Sequence, residues 1–145
     1  MTVLVDTNVL LRHFEPGHPH HRAAVDSITR LMESGEAVHV TPQNIAEFWA
    51  VATRSSAQNG LGLPVAVVAA ALDHIERVFA LLPDDSAIYA VWKRLVTAHG
   101  VIGNQVYDAR LVAAMGVHGI RRILTFNAED FARYGIEVMH PSAVS

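Results

Sequence analysis

Oxygen-bearing side chains occur at several points in this sequence where a strand or helix could present them to a ligand. Asp6 directly follows a short apolar run, and Asp108 stands at the start of a helical pattern near the other end of the chain. Glu47 lies between them, and Asn127 and Asp130 follow a later apolar run. Carboxylate and amide oxygens are the ligands that hard cations such as Mg²⁺ prefer. If these side chains meet, they predict a divalent metal site.

Other kinds of reactive site find little support. The chain has no cysteine, which excludes disulfides, thiolate metal sites and a cysteine nucleophile. His18, His20 and His21 are clustered, but Pro19 prevents the helix that would place two of them one turn apart, so we expect a surface loop. The glycine-rich motifs of nucleotide-binding proteins and the serine motif of acyl hydrolases do not occur.

Alternating strands and helices are expected to position these acids. Apolar runs predict strands at Val3–Val5, Val38–Val40, Ala80–Leu82, Ile123–Thr125 and Ile136–Met139. Helices are predicted at His21–Glu33, from Thr41-Pro42 onward, from Pro64 to about Phe79, at Ser86–His99 and at Tyr107–Met115, with a helical turn at Asp130–Tyr134. This alternation favours an α/β fold, a three-layer α/β/α sandwich whose central, mostly parallel sheet has four or five strands, with residues 1–145 forming one domain.

In such a fold the acids should approach one edge of the sheet. Asp6 ends the first strand, and ligands of open α/β sheets bind beyond the carboxyl ends of the strands. Glu47 lies in the helix after the second strand, away from the apolar stripe of that helix. Asp108 continues the apolar face of its own helix. Taken singly, Glu47 is explained as a solvated helix residue, Asp108 as a helix cap, and Asn127 and Asp130 as turn or cap residues.

Together these residues favour a metal centre, since carboxylates that lie close together repel each other unless a cation neutralises them. An all-oxygen set selects Mg²⁺ or Mn²⁺ over zinc. Such ions bind phosphate and activate water for in-line displacement, which is the chemistry of metal-dependent nucleases.

The charge of the chain is compatible with a nucleic-acid substrate. The net charge is −3, from 14 acidic and 11 basic residues, and all basic residues except Lys93 are arginine. Setting four metal-binding acids aside leaves ten acidic residues against eleven basic ones, so the remaining surface is about neutral. Arg12, Arg54 and Arg110 are candidate RNA contacts near the site, and each is also explained as an ordinary surface charge.

The ordered set of motifs resembles a known family. Val3–Asn8, then Glu47, then Tyr107–Ala114, then Leu124–Asn127 followed by Asp130-Phe131 are similar to the successive motifs of PIN domains. Their order and spacing resemble those of the VapC-type toxins of toxin-antitoxin pairs, and the resemblance covers nearly the whole chain.

This resemblance implies a ribonuclease that cleaves RNA with Mg²⁺ or Mn²⁺, pairs with a small antitoxin and forms a homodimer. Asp6, Glu47 and Asp108 would be the catalytic, metal-binding acids. Thr7 or Asn8 would orient the first acid, beside the strand threonine Thr125. Many PIN domains carry a further acid where this chain has Asn127, so a second metal site should be weaker. Asp130, one turn later, is placed to compensate.

Two other functions remain open at this stage. A catalytically weak PIN fold could bind RNA or a partner without cleaving it. A phosphatase that forms an aspartyl-phosphate on Asp6 would also use a strand-end acid, but it would want an acid where this chain has Asn8, and Lys93 follows no strand.

A cytoplasmic location is expected from the N-terminal sequence and the apolar runs. The first residues lack the basic region of a signal peptide and include Asp6. The longest apolar run, Leu61–Leu72, contains Pro64 and is too short to span a bilayer. We therefore expect no association with a membrane.

Overall fold

A five-stranded sheet forms the centre of the fold. The computed structural model describes all 145 residues. The strands are β1 (Thr2–Val5), β2 (Ala37–Val40), β3 (Ala80–Leu81), β4 (Arg122–Leu124) and β5 (Glu137–Met139). They are arranged in the order β3-β2-β1-β4-β5, and every neighbouring pair is parallel. β1 is therefore central, and the carboxyl ends of all five strands lie at one edge.

Six helices connect and cover the strands. They are α1 (Thr7–His13), α2 (His21–Glu33), α3 (Pro42–Thr53), α4 (Val65–Val78), α5 (Ile88–His99) and α6 (Gln105–Val117). Short 3₁₀ turns occupy Ser56–Gln58, Ala128–Asp130, Ala132–Tyr134 and Pro141–Ala143. None of the helices combines the length and apolar character needed to cross a membrane. Of the six α-helices, the sequence prediction missed α1, a helix of seven residues that begins directly after the strand-end residue Asp6.

The two faces of the sheet carry different helices. Val3 and Val5 project from one face into a core built with α1, α2, α3 and α4. Leu4 and Ile123 project from the other face and pack against α6 and part of α5. Because side chains alternate between the two faces of a strand, the continuous apolar run of β1 is buried on both sides. The predicted three-layer α/β/α sandwich is confirmed.

The start of α3 is fixed by its own sequence. Thr41 is the N-cap and Pro42 the first helical residue, as predicted. The Thr41 hydroxyl accepts from the Asn44 backbone N–H at 3.1 Å, and the Asn44 side-chain oxygen accepts from the Thr41 N–H at 2.9 Å. This reciprocal cap sets the position of the next turn, which carries Glu47. Phe48, one residue further, is buried against the sheet.

Candidate metal centre

Asp6 lies at the junction of β1 and α1. It is the N-cap of α1, and its Oδ1 accepts from the Thr7 backbone N–H at 2.8 Å. Its Oδ2 accepts from the Thr125 hydroxyl at 2.7 Å. Only 7% of the residue is exposed, and this burial raises its pKa to about 6 despite the two hydrogen bonds that favour the charged form. Asp6 is therefore a fixed carboxylate in an environment that disfavours its charge.

Thr125 is held so that its proton faces Asp6. Its hydroxyl oxygen accepts from the Asn127 backbone N–H at 3.0 Å and from the Asn8 side-chain amide at 3.3 Å. Asn8 also accepts from the Phe126 backbone N–H at 3.3 Å. Because two donors already approach the Thr125 oxygen, the hydroxyl proton is left to donate to Asp6. Thr125 is fully buried behind the carboxylate and acts as its support.

Glu47 is held by a relay that starts at Asn44. The Asn44 side-chain amide donates to the Thr7 hydroxyl at 3.1 Å, and that hydroxyl donates to Glu47 Oε1 at 2.8 Å. The sequence assigned Thr7 or Asn8 to orienting Asp6. In the structure the Thr7 side chain bonds Glu47, and Thr7 donates to Asp6 through its backbone N–H, while Asn8 supports Asp6 through Thr125. The relay joins α1 to α3, so the first and second acids are positioned together.

Asp108 lies in the first turn of α6 and is half-buried. The N-cap of this helix is Asn104, so a capping role does not explain Asp108. Its pKa is raised to about 7, first by burial and then by the negative charges of Asp6, Asp130 and Glu47, while Arg133 opposes the shift. Three acids from separate parts of the chain thus act electrostatically on the fourth.

Gln43 ties the two helices that carry Glu47 and Asp108. Its side-chain amide donates to the Tyr107 carbonyl at 2.8 Å, and its Oε1 accepts from Arg110 at 3.0 Å. Arg110 also approaches Asp84 at 3.5 Å. This hydrogen bond connects α3 to α6 at Tyr107, the residue before Asp108, and it fixes the spacing between Glu47 and Asp108.

One cavity of about 350 Å³ collects most of the predicted site residues. Its polar lining consists of Asp6, Thr7, Asn8, Glu47, Arg54, Asp108, Asn127 and Asp130. Leu11, Ala50 and Val51 form its apolar wall. Three predicted residues lie elsewhere: Thr125 is behind Asp6, Arg12 lines a neighbouring cavity, and Arg110 is engaged by Gln43 and Asp84.

The donors in this cavity fit a hydrated divalent cation. As positioned, no three of the carboxylates come close enough together to hold one ion directly. Mg²⁺ keeps several of its waters and usually takes only one or two carboxylates from the protein, so direct contact with every acid is not required. Neither cysteine nor histidine lines the cavity. The pKa values of Asp6 and Asp108 are raised first by burial and then by the neighbouring acids, and a cation bound beside them would favour their charged forms.

Sequence reasoning missed Asn44 and Gln43, which position the site through hydrogen bonds to Thr7 and to the Tyr107 carbonyl. Asn44 is fully buried, and its polar side chain at the third position of α3 was the only available signal. Its bond to Thr7 joins residues 37 positions apart. Gln43 joins positions 64 apart. No local pattern indicates pairings of that kind.

Comparison with known proteins identifies the family. The family described as PIN domain matches residues 3–137. No curated protein matched the sequence. Among solved structures, VapBC-1 from nontypeable Haemophilus influenzae is similar with a TM-score of 0.72 at 14% identity, covering 98% of this chain and 99% of that chain.

Two further structures show the same likeness of fold. VapC20 from Mycobacterium tuberculosis, described as a toxin that cleaves the sarcin-ricin loop, has a TM-score of 0.68 at 21% identity, with 94% of this chain and 98% of that chain covered. FitAcB from Neisseria gonorrhoeae has a TM-score of 0.71 at 19% identity, with 97% and 99% covered. The resemblance seen in the sequence motifs is confirmed by the family match, and the chain belongs to the PIN domain family.

Proposed function

We propose that this protein is a Mg²⁺- or Mn²⁺-dependent endoribonuclease that acts as the toxin of a toxin-antitoxin pair. The observation that carries the proposal is the meeting of Asp6, Glu47 and Asp108, from three separate elements, in one cavity at the carboxyl edge of the sheet. Membership of the PIN domain family supports a nuclease. The structurally similar VapC20 is described as a toxin that cleaves the sarcin-ricin loop, and RNA is the substrate class that the motif resemblance implies for this chain.

In this proposal Asp6, Glu47 and Asp108 are the metal-binding and catalytic acids. A divalent cation bound there would neutralise the scissile phosphate and promote attack of water on phosphorus in line with the leaving oxygen. Thr125 keeps Asp6 in place, and Thr7 keeps Glu47 in place. These supports restrict the rotamers of both acids, so less order has to be gained when substrate binds.

Asn127 and Asp130 are proposed as secondary metal ligands at the open side of the cavity. Both are exposed, in contrast to Asp6. An amide supplies an oxygen without a negative charge, so a second cation would be held more weakly than the first. Asp130 faces the same cavity and contributes to the raised pKa values of Asp6 and Asp108. We propose one firm metal site and a second that fills at higher metal concentration.

Arg54 is the one of the three candidate RNA contacts that lines the carboxylate cavity itself. It is exposed and lines the carboxylate cavity, where its guanidinium can reach a phosphate. Arg110 is occupied by Gln43 and Asp84 and is a weaker candidate.

We also propose an antitoxin partner, a homodimer and a cytoplasmic location, with residues 1–145 acting as one domain. The similar structures include toxin-antitoxin complexes, which supports the antitoxin. Exposed apolar side chains on α4 and α5, among them Val65, Val67 and Tyr89, provide apolar surface for a protein partner.

The test is cleavage of a mixed RNA sample in MgCl₂ or EDTA. Asp6→Asn and Asp108→Asn should lose activity by a factor of about 10² or more while their circular dichroism stays native. Asp73→Asn removes an exposed acid on α4, outside the cavity, and should cleave like the parent protein. Full activity in EDTA, or in either cavity variant, would overturn the proposal. If the parent protein cleaved no RNA with any divalent ion, the alternative of a PIN fold that binds RNA or a partner without cleaving it would be supported instead.

A further inference from the structure

A second cavity, of about 300 Å³, adjoins the carboxylate cavity. Its lining includes Arg12, His18, His20, Phe126 and His140, none of which lines the carboxylate cavity. Asn8 and Asn127 line both cavities and form the boundary between them. A strand of nucleic acid whose phosphate lies among the acids would therefore pass Asn8 and Asn127 into this second space.

Stacked aromatic rings form one side of the second cavity. The rings of His20 and Phe126 are stacked with centroids 4.8 Å apart and planes 30° apart. His140 meets Phe126 edge to face at 5.4 Å. The His18 ring lies 5.3 Å from that of His20, and its Nδ1 accepts from the His20 backbone N–H at 3.0 Å. Planar rings of this kind stack on nucleobases with little dependence on sequence.

The loop that carries His18 and His20 is anchored to α1, the helix capped by Asp6. His21, the first residue of α2, donates from its Nδ1 to the Arg12 carbonyl at 2.9 Å, which joins the end of the loop to α1. The sequence predicted a surface loop for His18, His20 and His21, and His20 is exposed in a turn, whereas His21 begins α2. The anchoring bond gives the loop a defined place beside the carboxylate cavity.

Arg12 supplies the arginine of the second cavity. One of its terminal nitrogens pairs with Glu15 on the adjoining turn. A guanidinium has five N–H donors, so pairing at one nitrogen leaves others for a phosphate oxygen. The cavity thus combines a stacking surface with a cation, which are the two features that single-stranded nucleic acids require.

We propose that this second cavity binds the nucleotide adjacent to the scissile bond of a single-stranded RNA. Its base stacks on the exposed ring of His20, which packs on Phe126, and its phosphate is held by Arg12. This inference rests on the proposed ribonuclease function, because it places the neighbouring phosphate among the acids. The cavity sets how tightly the strand is held, whereas the acids perform the chemistry.

Binding of a labelled, random-sequence, single-stranded RNA in EDTA tests this inference without catalysis. Fluorescence anisotropy would compare His20→Ala and Arg12→Gln, each built on Asp6→Asn, with Asp6→Asn alone. We expect His20→Ala to weaken RNA binding by about 5-fold or more, which is the lower end of the effect of losing one stacking partner. Arg12→Gln should weaken binding and reduce the slope of log affinity against log salt by about 0.7, because one phosphate contact is lost.

His99→Ala and Arg94→Gln are matched controls on α5, since both residues are exposed and away from the two cavities. They should bind RNA like Asp6→Asn alone. In the parent background, His20→Ala should raise the KM for RNA cleavage and leave kcat within about 2-fold, because it removes binding that the ground state and transition state share.

The two possible failures are distinguishable. If Asp6→Asn or Asp108→Asn cleaves RNA like the parent protein, the ribonuclease function itself fails. If those variants are inactive while His20→Ala and Arg12→Gln bind RNA as tightly as the controls, the ribonuclease stands and the nucleotide subsite is refuted. A fall in kcat without a change in KM for His20→Ala would also contradict the subsite.

Discussion

Replacing Asp6 by Asn should stabilise the metal-free protein at neutral pH. Burial raises the pKa of Asp6 from 3.8 to about 6, so folding an ionised Asp6 costs about 3 kcal/mol. Asn removes this cost and keeps the cap on Thr7, since Asn and Asp are equally good N-caps. It loses the hydrogen bond from Thr125, which is worth about 1 kcal/mol. The free energy of unfolding of Asp6→Asn should therefore exceed that of the parent protein by about 2 kcal/mol.

The gain should depend on pH in a defined direction. A carboxyl group whose pKa is higher in the folded state binds its proton more tightly there, so stability falls as pH rises between the two pKa values. For Asp6 this window lies between about pH 4 and pH 6. The advantage of Asp6→Asn should therefore be present at pH 7.5 and absent near pH 4.

Urea unfolding in EDTA at both pH values provides the assay, with protein concentration held fixed. Asp73→Asn is the control and should stay within about 0.5 kcal/mol of the parent protein. Adding Mg²⁺ at neutral pH should stabilise the parent protein, by about 2.7 kcal/mol at 100 times the dissociation constant, and should stabilise Asp6→Asn much less. Two results would contradict the inference that burial disfavours the ionised form of Asp6. One is an Asp6→Asn variant that is less stable than the parent at pH 7.5 in EDTA, and the other is a stability difference that is the same at both pH values.

Further predictions concern the supports of the site and the core. Thr125→Val should lower RNA cleavage or Mg²⁺ affinity by about 10- to 100-fold, and Thr125→Ser should restore most of it, because the hydroxyl orients Asp6. Phe48→Ala should lower the free energy of unfolding by about 3–5 kcal/mol in urea titrations, since the ring is fully buried. Gly60→Ala should lower the melting temperature, because its Cβ would lie 2.0 Å from the Arg54 carbonyl oxygen, whereas Gly17→Ala meets nothing within 4 Å and should not. An unchanged melting temperature in Gly60→Ala would show that the loop after α3 rearranges freely.

Much of the fold could be read from local patterns. The boundaries of α2, the cap at Thr41-Pro42 and the buried strand ending at Asp6 each follow from a few neighbouring residues. The edge at which the acids meet follows from the parallel sheet, because every strand ends on the same side. Helix α1 was missed because Asp6 alone separates it from β1, and this residue, which directly follows the strand, is also the cap of the helix.

The supports of the site could not be read in the same way. Thr7 or Asn8 was expected to orient Asp6, yet the Thr7 hydroxyl bonds Glu47, because the direction of a side chain depends on which helix packs opposite it. Asn44 and Gln43 act through partners far away in the sequence. Arg110 lies only two residues after Asp108, but the rotation of the helix between these positions directs its side chain toward Asp84. Such pairings are set by tertiary packing, on which a local pattern carries no information.

The central claim is that Asp6, Glu47 and Asp108 share a divalent cation. Anomalous diffraction from crystals soaked in MnCl₂ tests it most directly. We expect a manganese peak in the carboxylate cavity, between Asp6 and Asp108, and no peak there in crystals of Asp108→Asn soaked in the same way. A cavity without manganese at saturating MnCl₂, or an ion bound only away from these acids, would contradict the account.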